Sequence, residues 1–308
     1  MLKRCILITV FILPTIAGAQ YQRPGSSTAQ FLNIGVSPRA EAMAGAYISV
    51  AEGAEGVYYN PAVLTKISST DIQFTYTNWF AGIKHEFFSL AHRLGNQHAV
   101  ALSVTALQTD EMTVRTPLQP DGTGETFYAG SYRVGISLAR QLTNHVSIGV
   151  TGNYIRMSLY GDFAQNAFAG DIAALYDVGF RDLRFGFIMS NFGSSVTFVH
   201  EQYPLPTSFS FGLSMNAIEF SNQAFLLSVT AKKPNDGSPL GMIGGEYSLL
   251  NVISLRAGYH FEDVVKTFAL GVGANVPIGP NMLSFDYSYS DYSLLGAAQR
   301  FGISFTFR

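Results

Sequence analysis

From residue 71 to the C-terminus the chain repeats one rhythm, with apolar side chains on alternate positions and small or polar ones between them. Tyr128, Tyr132, Val134, Ile136 and Leu138 are set against Ala129, Ser131, Arg133, Gly135, Ser137 and Ala139. A period of two marks a strand with one apolar face, because successive side chains of a strand point to opposite sides. The same alternation returns in Val100, Leu102 and Val104, in Phe168, Ile172 and Tyr176, and in Phe209, Phe211 and Leu213. It returns again in Ile253, Leu255 and Tyr259, in Leu283, Phe285 and Tyr287, and in Phe301, Ile303, Phe305 and Phe307.

The residues on the other face decide between two architectures. A soluble sandwich hides its apolar face and shows Lys, Glu and Thr to water. Here the second face is mostly Gly, Ser and Ala, and only 13% of the chain is charged, against 30 Gly, 16 Tyr and 24 Phe. An apolar face turned to lipid and a small or polar face turned to a lumen is the pattern of a transmembrane barrel. The expected fold class is therefore all-β, a transmembrane antiparallel β-barrel of about 14 strands. Two places fit poorly: residues 84–93 leave the face assignment open, and Arg156 falls on the lipid face.

The connections alternate as such a barrel requires. Arg93 to Gln97, Gln141 to His145, Phe180 to Leu183, Ser248 to Val252 and Val276 to Asn281 are short turns. Gln108 to Thr126, Gly161 to Asn166, Asn191 to Pro206 and Lys232 to Pro239 are longer or richer in turn residues. Short turns on the periplasmic side and longer loops outside place both termini in the periplasm.

Lys3 and Arg4, the apolar run from Cys5 to Ile16, and Ala17-Gly18-Ala19 form a signal peptide, with cleavage expected near Ala19 and Gln20. The run is too short to span a bilayer. Cys5 is the one cysteine and lies within it, so thiol catalysis, cysteine metal sites and disulfides are excluded for the mature chain. Sec export to the outer membrane of a Gram-negative cell follows, and the chain divides into residues 1–19 as signal peptide, 20–70 as hatch or plug and 71–308 as barrel.

Chemistry is hard to find. Gly271-Val272-Gly273 lacks the third glycine of a dinucleotide loop and falls inside a strand pattern. The six His residues lack metal-site spacing, and only His85, His92 and His98 are loosely grouped. Asp110, Glu111, Asp121 and Glu125 share a Pro- and Gly-rich loop and read as solvated. The net charge of -2 offers no basic field for nucleic acid. The reading is of a non-enzyme, with no catalytic residue, cofactor or metal.

A barrel of this strand number encloses more space than Gly, Ser and Ala fill, so it is either open or plugged. Parity puts Arg133, Asp171, Asp177, Arg184, Glu246, Arg256, Asp286 and Arg300 on the lumen face. Residues 20–70, rich in Ala and Gly and poor in alternation, suit short helices and close backbone contacts inside that lumen. Asn60 is a favoured helix N-cap and Pro61 fits a first helical turn, so a short helix is expected to join plug to barrel.

The stretch from Phe31 to Leu64, FLNIGVSPRAEAMAGAYISVAEGAEGVYYNPAVL, resembles the amino-terminal signature of the PorV/PorQ family of Bacteroidetes outer-membrane proteins, which is related to the FadL long-chain fatty acid transporters. The matching elements are Phe31-Leu32, Arg39-Ala40, Ala44-Gly45-Ala46, Glu52 to Glu55 and Asn60-Pro61-Ala62. Ala44 stands where a first glycine is usual, and residues 51–56 replace an Asp-rich form. The resemblance implies a FadL-like barrel with a partly helical hatch in the lumen, held through Arg39, Gly45, Asn60, Pro61 and Ala62. It also implies a component of type IX protein secretion that binds cargo or partner proteins, embedded among outer-membrane lipid and lipopolysaccharide. The alternative is a FadL-like transporter of fatty acids or other hydrophobic molecules. Phe192, Val196, Phe198 and Val199 would then line an apolar pocket, or meet a protein partner.

Overall fold

A computed structural model of the chain describes residues 24–308 except 162, 198, 199, 262 and 264. The expected signal peptide, and Phe198 and Val199 among the candidate contacts, lie outside the described residues.

Among the described residues, fourteen strands close into one antiparallel barrel. In chain order these are β1 (Thr70–Asn78), β2 (Lys84–Leu94), β3 (His98–Gln108), β4 (Gly130–Gln141), β5 (Val146–Ser158), β6 (Ala164–Asp177) and β7 (Arg184–Gly193). There follow β8 (Ser208–Phe220), β9 (Gln223–Pro234), β10 (Leu240–Leu249), β11 (Ile253–Phe261), β12 (Phe268–Ile278), β13 (Asn281–Asp291) and β14 (Ala297–Phe307). Each pairs with its neighbour in sequence, and β1 closes the wall against β14 with Thr70 opposite Phe307. Closure leaves no open edge, which is the condition for backbone amides to survive in lipid.

The connections alternate between the rims. Residues 95–97, 142–145, 178–183, 221–222, 250–252 and 279–280 turn at one rim, where β1 begins and β14 ends. At the other rim, residues 109–129 carry a small ribbon, Met112–Thr113 with Thr126–Phe127, and residues 194–207 carry another, Val196–Thr197 with Gln202–Tyr203.

Alternation sorts the side chains by face. On β4, Tyr132, Val134, Ile136 and Leu138 are exposed on the outside, while Arg133, Ser137 and Ala139 are buried within. Arg156 points outward near the long-loop end of β5. On β2, Phe87 faces in and Phe88 faces out, since Phe87 meets the Tyr58 ring edge-on at 6.2 Å. The two-residue rule therefore tells the faces apart but does not make every inward residue polar. Ile155, Leu175 and Ile188 also face inward, buried against the N-terminal segment.

That segment, residues 24–69, touches the wall on many sides and so lies inside it. Its elements are short: a 3-10 turn at Gln30–Asn33, α1 (Pro38–Ala42), α2 (Gly56–Tyr59) and a 3-10 run at Pro61–Lys66. Ser37 caps α1, its side chain accepting from the Ala40 amide, with Pro38 in the first turn. Asn60 does the same for the last run, accepting from the Ala62 amide at 3.1 Å, so the helix expected there is 3-10 rather than α. Val36, Ala40, Met43, Tyr47 and Val50 form a dry core with Phe87 and Leu175 of the wall. Each large side chain buried this way stabilises the docking by about 1.5–3 kcal/mol.

Inward glycines admit the segment's backbone. A Cβ on Gly149 would lie 2.4 Å from the Ala62 nitrogen, and one on Gly258 would lie 2.3 Å from the Met43 carbonyl carbon. No other residue type fits either position without moving the segment.

Candidate functional site

The segment divides the lumen into an upper and a lower cavity. Its first part crosses near the long-loop rim, where Phe31 and Leu32 pack among Ile155, Met157, Val196 and Leu205, and the Thr28 amide donates to the Pro204 carbonyl at 3.0 Å. It then descends, so that Glu41 to Ile48 cross the middle and Glu52 to Glu55 face the short-turn rim. Between the two crossings lies an upper cavity of about 430 Å³, walled by Ile48, Tyr58, Ile188, Met242, His260 and Lys266, among others. Below the second crossing lies a lower cavity of about 670 Å³, lined mainly by charged and hydroxylic side chains.

Ion pairs bind the segment to the wall. The Arg39 guanidinium donates to Glu246 on β10 through Nε and Nη2, each at 2.8 Å, and through Nη1 to Glu52 at 2.8 Å. Glu246 in turn accepts from Arg256, whose other arm reaches Asp286. Arg184 meets Asp182 and approaches Glu52, and Lys66 pairs with Asp177. On the upper side Glu41 accepts from Lys266 at 2.6 Å and faces Arg300 at 3.3 Å. Burial alone would raise the Glu41 pKa, but these two cations outweigh it and hold it at about 2. The same pairing raises Lys266 above its ordinary value against the opposing effect of burial.

A bulge in β7 builds a second anchor. Against the two steps from Gly170 to Ile172 on β6, β7 takes three from Phe192 to Met189, with Asn191 at a φ of 58°, and this brings Asn191 inward beside Asp171, which regular alternation already turns to the lumen. Asp171 accepts from Arg133 at 2.9 Å, Asn153 at 2.8 Å and the Asn191 amide at 2.7 Å. Arg133 then lies over the Tyr58 ring at 4.9 Å. Tyr58 thus meets the wall, whereas Tyr59 turns back into the segment, its hydroxyl accepting from the Val36 and Ser37 amides.

The eight charges assigned by parity to the lumen all lie inside, distributed over these networks rather than gathered in one place. The residues drawn from the family signature lie on the segment. Asn60 bridges it to the wall, its Nδ2 donating to the carbonyls of Ile48 and Ala174. Gly45 has a φ of 75° and follows Ala44, whose φ of 54° is also left-handed.

The candidate apolar contacts need correction. Phe192 pairs with Gly170, on the same side of β6 as exposed Phe168 and Ile172, and its ring covers that glycine. It faces outward and lines neither cavity, because the extra residue of β7 at Ser190–Asn191 reverses that strand's parity beyond it. Val196 is buried in the cluster with Phe31 and Leu32 and lines no cavity either. Trp79, Lys232, His260 and Lys266 line the upper cavity instead. His260 was legible from β11 parity. Lys232 shares the inward parity of Thr230 on β9, whereas Trp79 and Lys266 stand in loops, where no period assigns a face.

Among the described residues, no three His, Cys, Asp or Glu side chains come together as metal ligands. Asp110 pairs with Lys84 at 3.2 Å, and Glu111 accepts from Thr126. Gly271-Val272-Gly273 lies within β12, where Gly271 is packed against Ala42.

No protein-family model matches the sequence, and no curated protein sequence matches it. Solved structures do. A FadL homologue from Pseudomonas aeruginosa superposes with a TM-score of 0.59 at 12% identity, covering 88% of this chain and 98% of that one. The chain has the fold of the FadL-type barrels. The toluene transporter TodX of Pseudomonas putida matches with a TM-score of 0.58 at 11% identity, over 88% of this chain and 96% of that one. The toluene transporter TbuX of Ralstonia pickettii matches with a TM-score of 0.56 at 12% identity, over 88% and 97%. A FadL-type barrel with an apolar outer wall belongs in an outer membrane.

Proposed function

We propose that the chain is a non-enzymatic outer-membrane transporter that passes a small, largely hydrophobic molecule through its lumen, residues 20–70 acting as the hatch. The observation that carries this reading is the upper cavity, a chamber of about 430 Å³ with apolar walls and a few convergent polar groups, inside the range of small-molecule sites. The superposed structures include toluene transporters, which supports a transport role without fixing the cargo. Secretory export delivers the chain to the membrane, where lipid and lipopolysaccharide surround the wall.

A second reading, a component of type IX protein secretion that binds cargo or partner proteins, rests on the PorV/PorQ-like stretch from Phe31 to Leu64. One deletion strain separates the two. Lost uptake of small hydrophobic compounds with a normal set of secreted proteins supports transport, and lost secretion with normal uptake overturns it.

A further inference from the structure

The upper cavity holds polar groups that the protein itself leaves unused. Thr230, Met242 and His260 stand side by side on β9, β10 and β11, in register across the three strands. All three are buried, face inward and line the cavity, with Thr230 only 4% and His260 only 7% exposed. Among the described residues, the Thr230 hydroxyl and both His260 ring nitrogens have no hydrogen-bond partner. Such orphaned groups are scarce in folded proteins and call for an explanation.

Lys232 lies two positions from Thr230 on the same face of β9 and lines the same cavity. Its ammonium donates to Asn33 Oδ1 at 3.2 Å, and among the described residues no carboxylate lies within ion-pair distance of it. The acids around the cavity are already engaged. Glu41 is held by Lys266 and Arg300, Asp171 by Arg133, Asp236 by Ser27 and Gln30, and Asp263 by the Val265 and Lys266 amides. A strand spacing of about 4.8 Å and a two-residue step of about 6.7 Å set Thr230, His260 and Lys232 around the space over Met242. A positive charge, a hydroxyl and an imidazole there suit an anionic oxygen group.

Most of the remaining exposed wall is apolar, though Ser190, Asn191, Ser208 and Ser210 also line it, and the segment supplies both floor and roof: Ala44, Gly45 and Ile48 below, Leu32 to Gly35 above. That enclosure suits a compact body better than an extended chain.

We propose that the upper cavity binds a compact organic acid, its carboxylate held by Lys232, Thr230 and His260 and its apolar body set against Ile48, Ile188 and Met242. This rests on the transport reading in taking the lumen as a small-molecule route, and it adds a charge requirement that the hydrocarbons named for the superposed structures do not meet.

Calorimetric titration of the detergent-purified full chain with benzoate, its uncharged isostere benzamide, and palmitate tests the assignment. Benzoate is expected to bind at least about tenfold more tightly than benzamide, in keeping with a hydrogen bond to a charged group. Lys232→Met should erase that preference and Lys232→Arg should keep it. His260→Ala should reduce it. Heat-modifiable gel mobility establishes that each variant is a folded barrel. No benzoate binding, equal binding of benzoate and benzamide, a preference that survives Lys232→Met, or palmitate binding more tightly than benzoate overturns the proposal. Uptake of uncharged hydrocarbons by cells, with no benzoate preference in the titration, refutes this inference alone; failed uptake refutes the transport reading beneath it.

Discussion

Arg39 and Glu246 meet fork to fork, Nε to Oε2 and Nη2 to Oε1 both at 2.8 Å, across the boundary between the lumenal segment and β10. This is the bidentate geometry that makes guanidinium and carboxylate pairs strong. Glu246 is 6% exposed, so removing Arg39 strands a buried charge whose remaining partner is Arg256.

Arg39→Ala should therefore loosen the segment by about 3 kcal/mol, the penalty of breaking a buried pair from one side. The double change Arg39→Ala with Glu246→Ala should cost less than Arg39→Ala alone. Single-channel recording in planar bilayers checks both, with open events rising in the single variant and partly suppressed in the double.

Gly149→Leu should expel the 3-10 run at Pro61–Lys66 from the wall, since even a Cβ there would meet the Ala62 nitrogen at 2.4 Å. Gly152→Ala, on the same strand with nothing within 4 Å, is the control and should behave as wild type. Limited proteolysis should cut residues 24–69 in the first variant only, while both retain the gel mobility of a folded barrel.

Ala44→Gly should stabilise the segment by about 1 kcal/mol. Ala44 holds a φ of 54°, a left-handed backbone that costs a residue with a Cβ about 1–2 kcal/mol. Part of the gain is lost because glycine gives up more freedom on folding. Slower amide exchange across residues 38–48, with unchanged exchange in the strands, is the expected result.

The segment should also weaken as the medium turns from acid to neutral. Burial lifts Glu55 to about 7, and the hydrogen bond from Tyr47 offsets only part of that. Its ordinary value is about 4.5, so the folded state binds the extra proton between about 4.5 and 7, and stability falls as pH rises through that window. Glu41 acts in the opposite sense at lower pH, its contribution being lost as pH falls from about 4.5 toward 2. Amide protection factors of residues 47–59, exchange rates corrected for the intrinsic base catalysis, should fall from pH 5 to pH 8, and Glu55→Gln should flatten that fall.

Much of the wall was legible because a strand's faces are set by parity, and parity needs only neighbours in sequence. Arg133, Glu246 and Arg256 were assigned to the lumen in this way. The pairing of wall to segment was not legible, because Arg39 and Glu246 lie 207 positions apart and no local pattern joins them. The bulge at Ser190–Asn191 hid the true face of Phe192, since one inserted residue reverses every assignment beyond it. Phe87 and Phe88 looked alike until Tyr58 supplied a partner for one of them. The Asn60-Pro61 step was readable as a cap, because capping is local chemistry, yet the wall glycine it packs against was not.

The seam between β1 and β14 also bears on the order of assembly. The segment runs directly into β1, and its backbone lies against wall glycines with no room for a methyl group. A chain that tight cannot be threaded upward into a sealed cylinder. The segment is therefore seated before the first and last strands meet, and the wall closes over it.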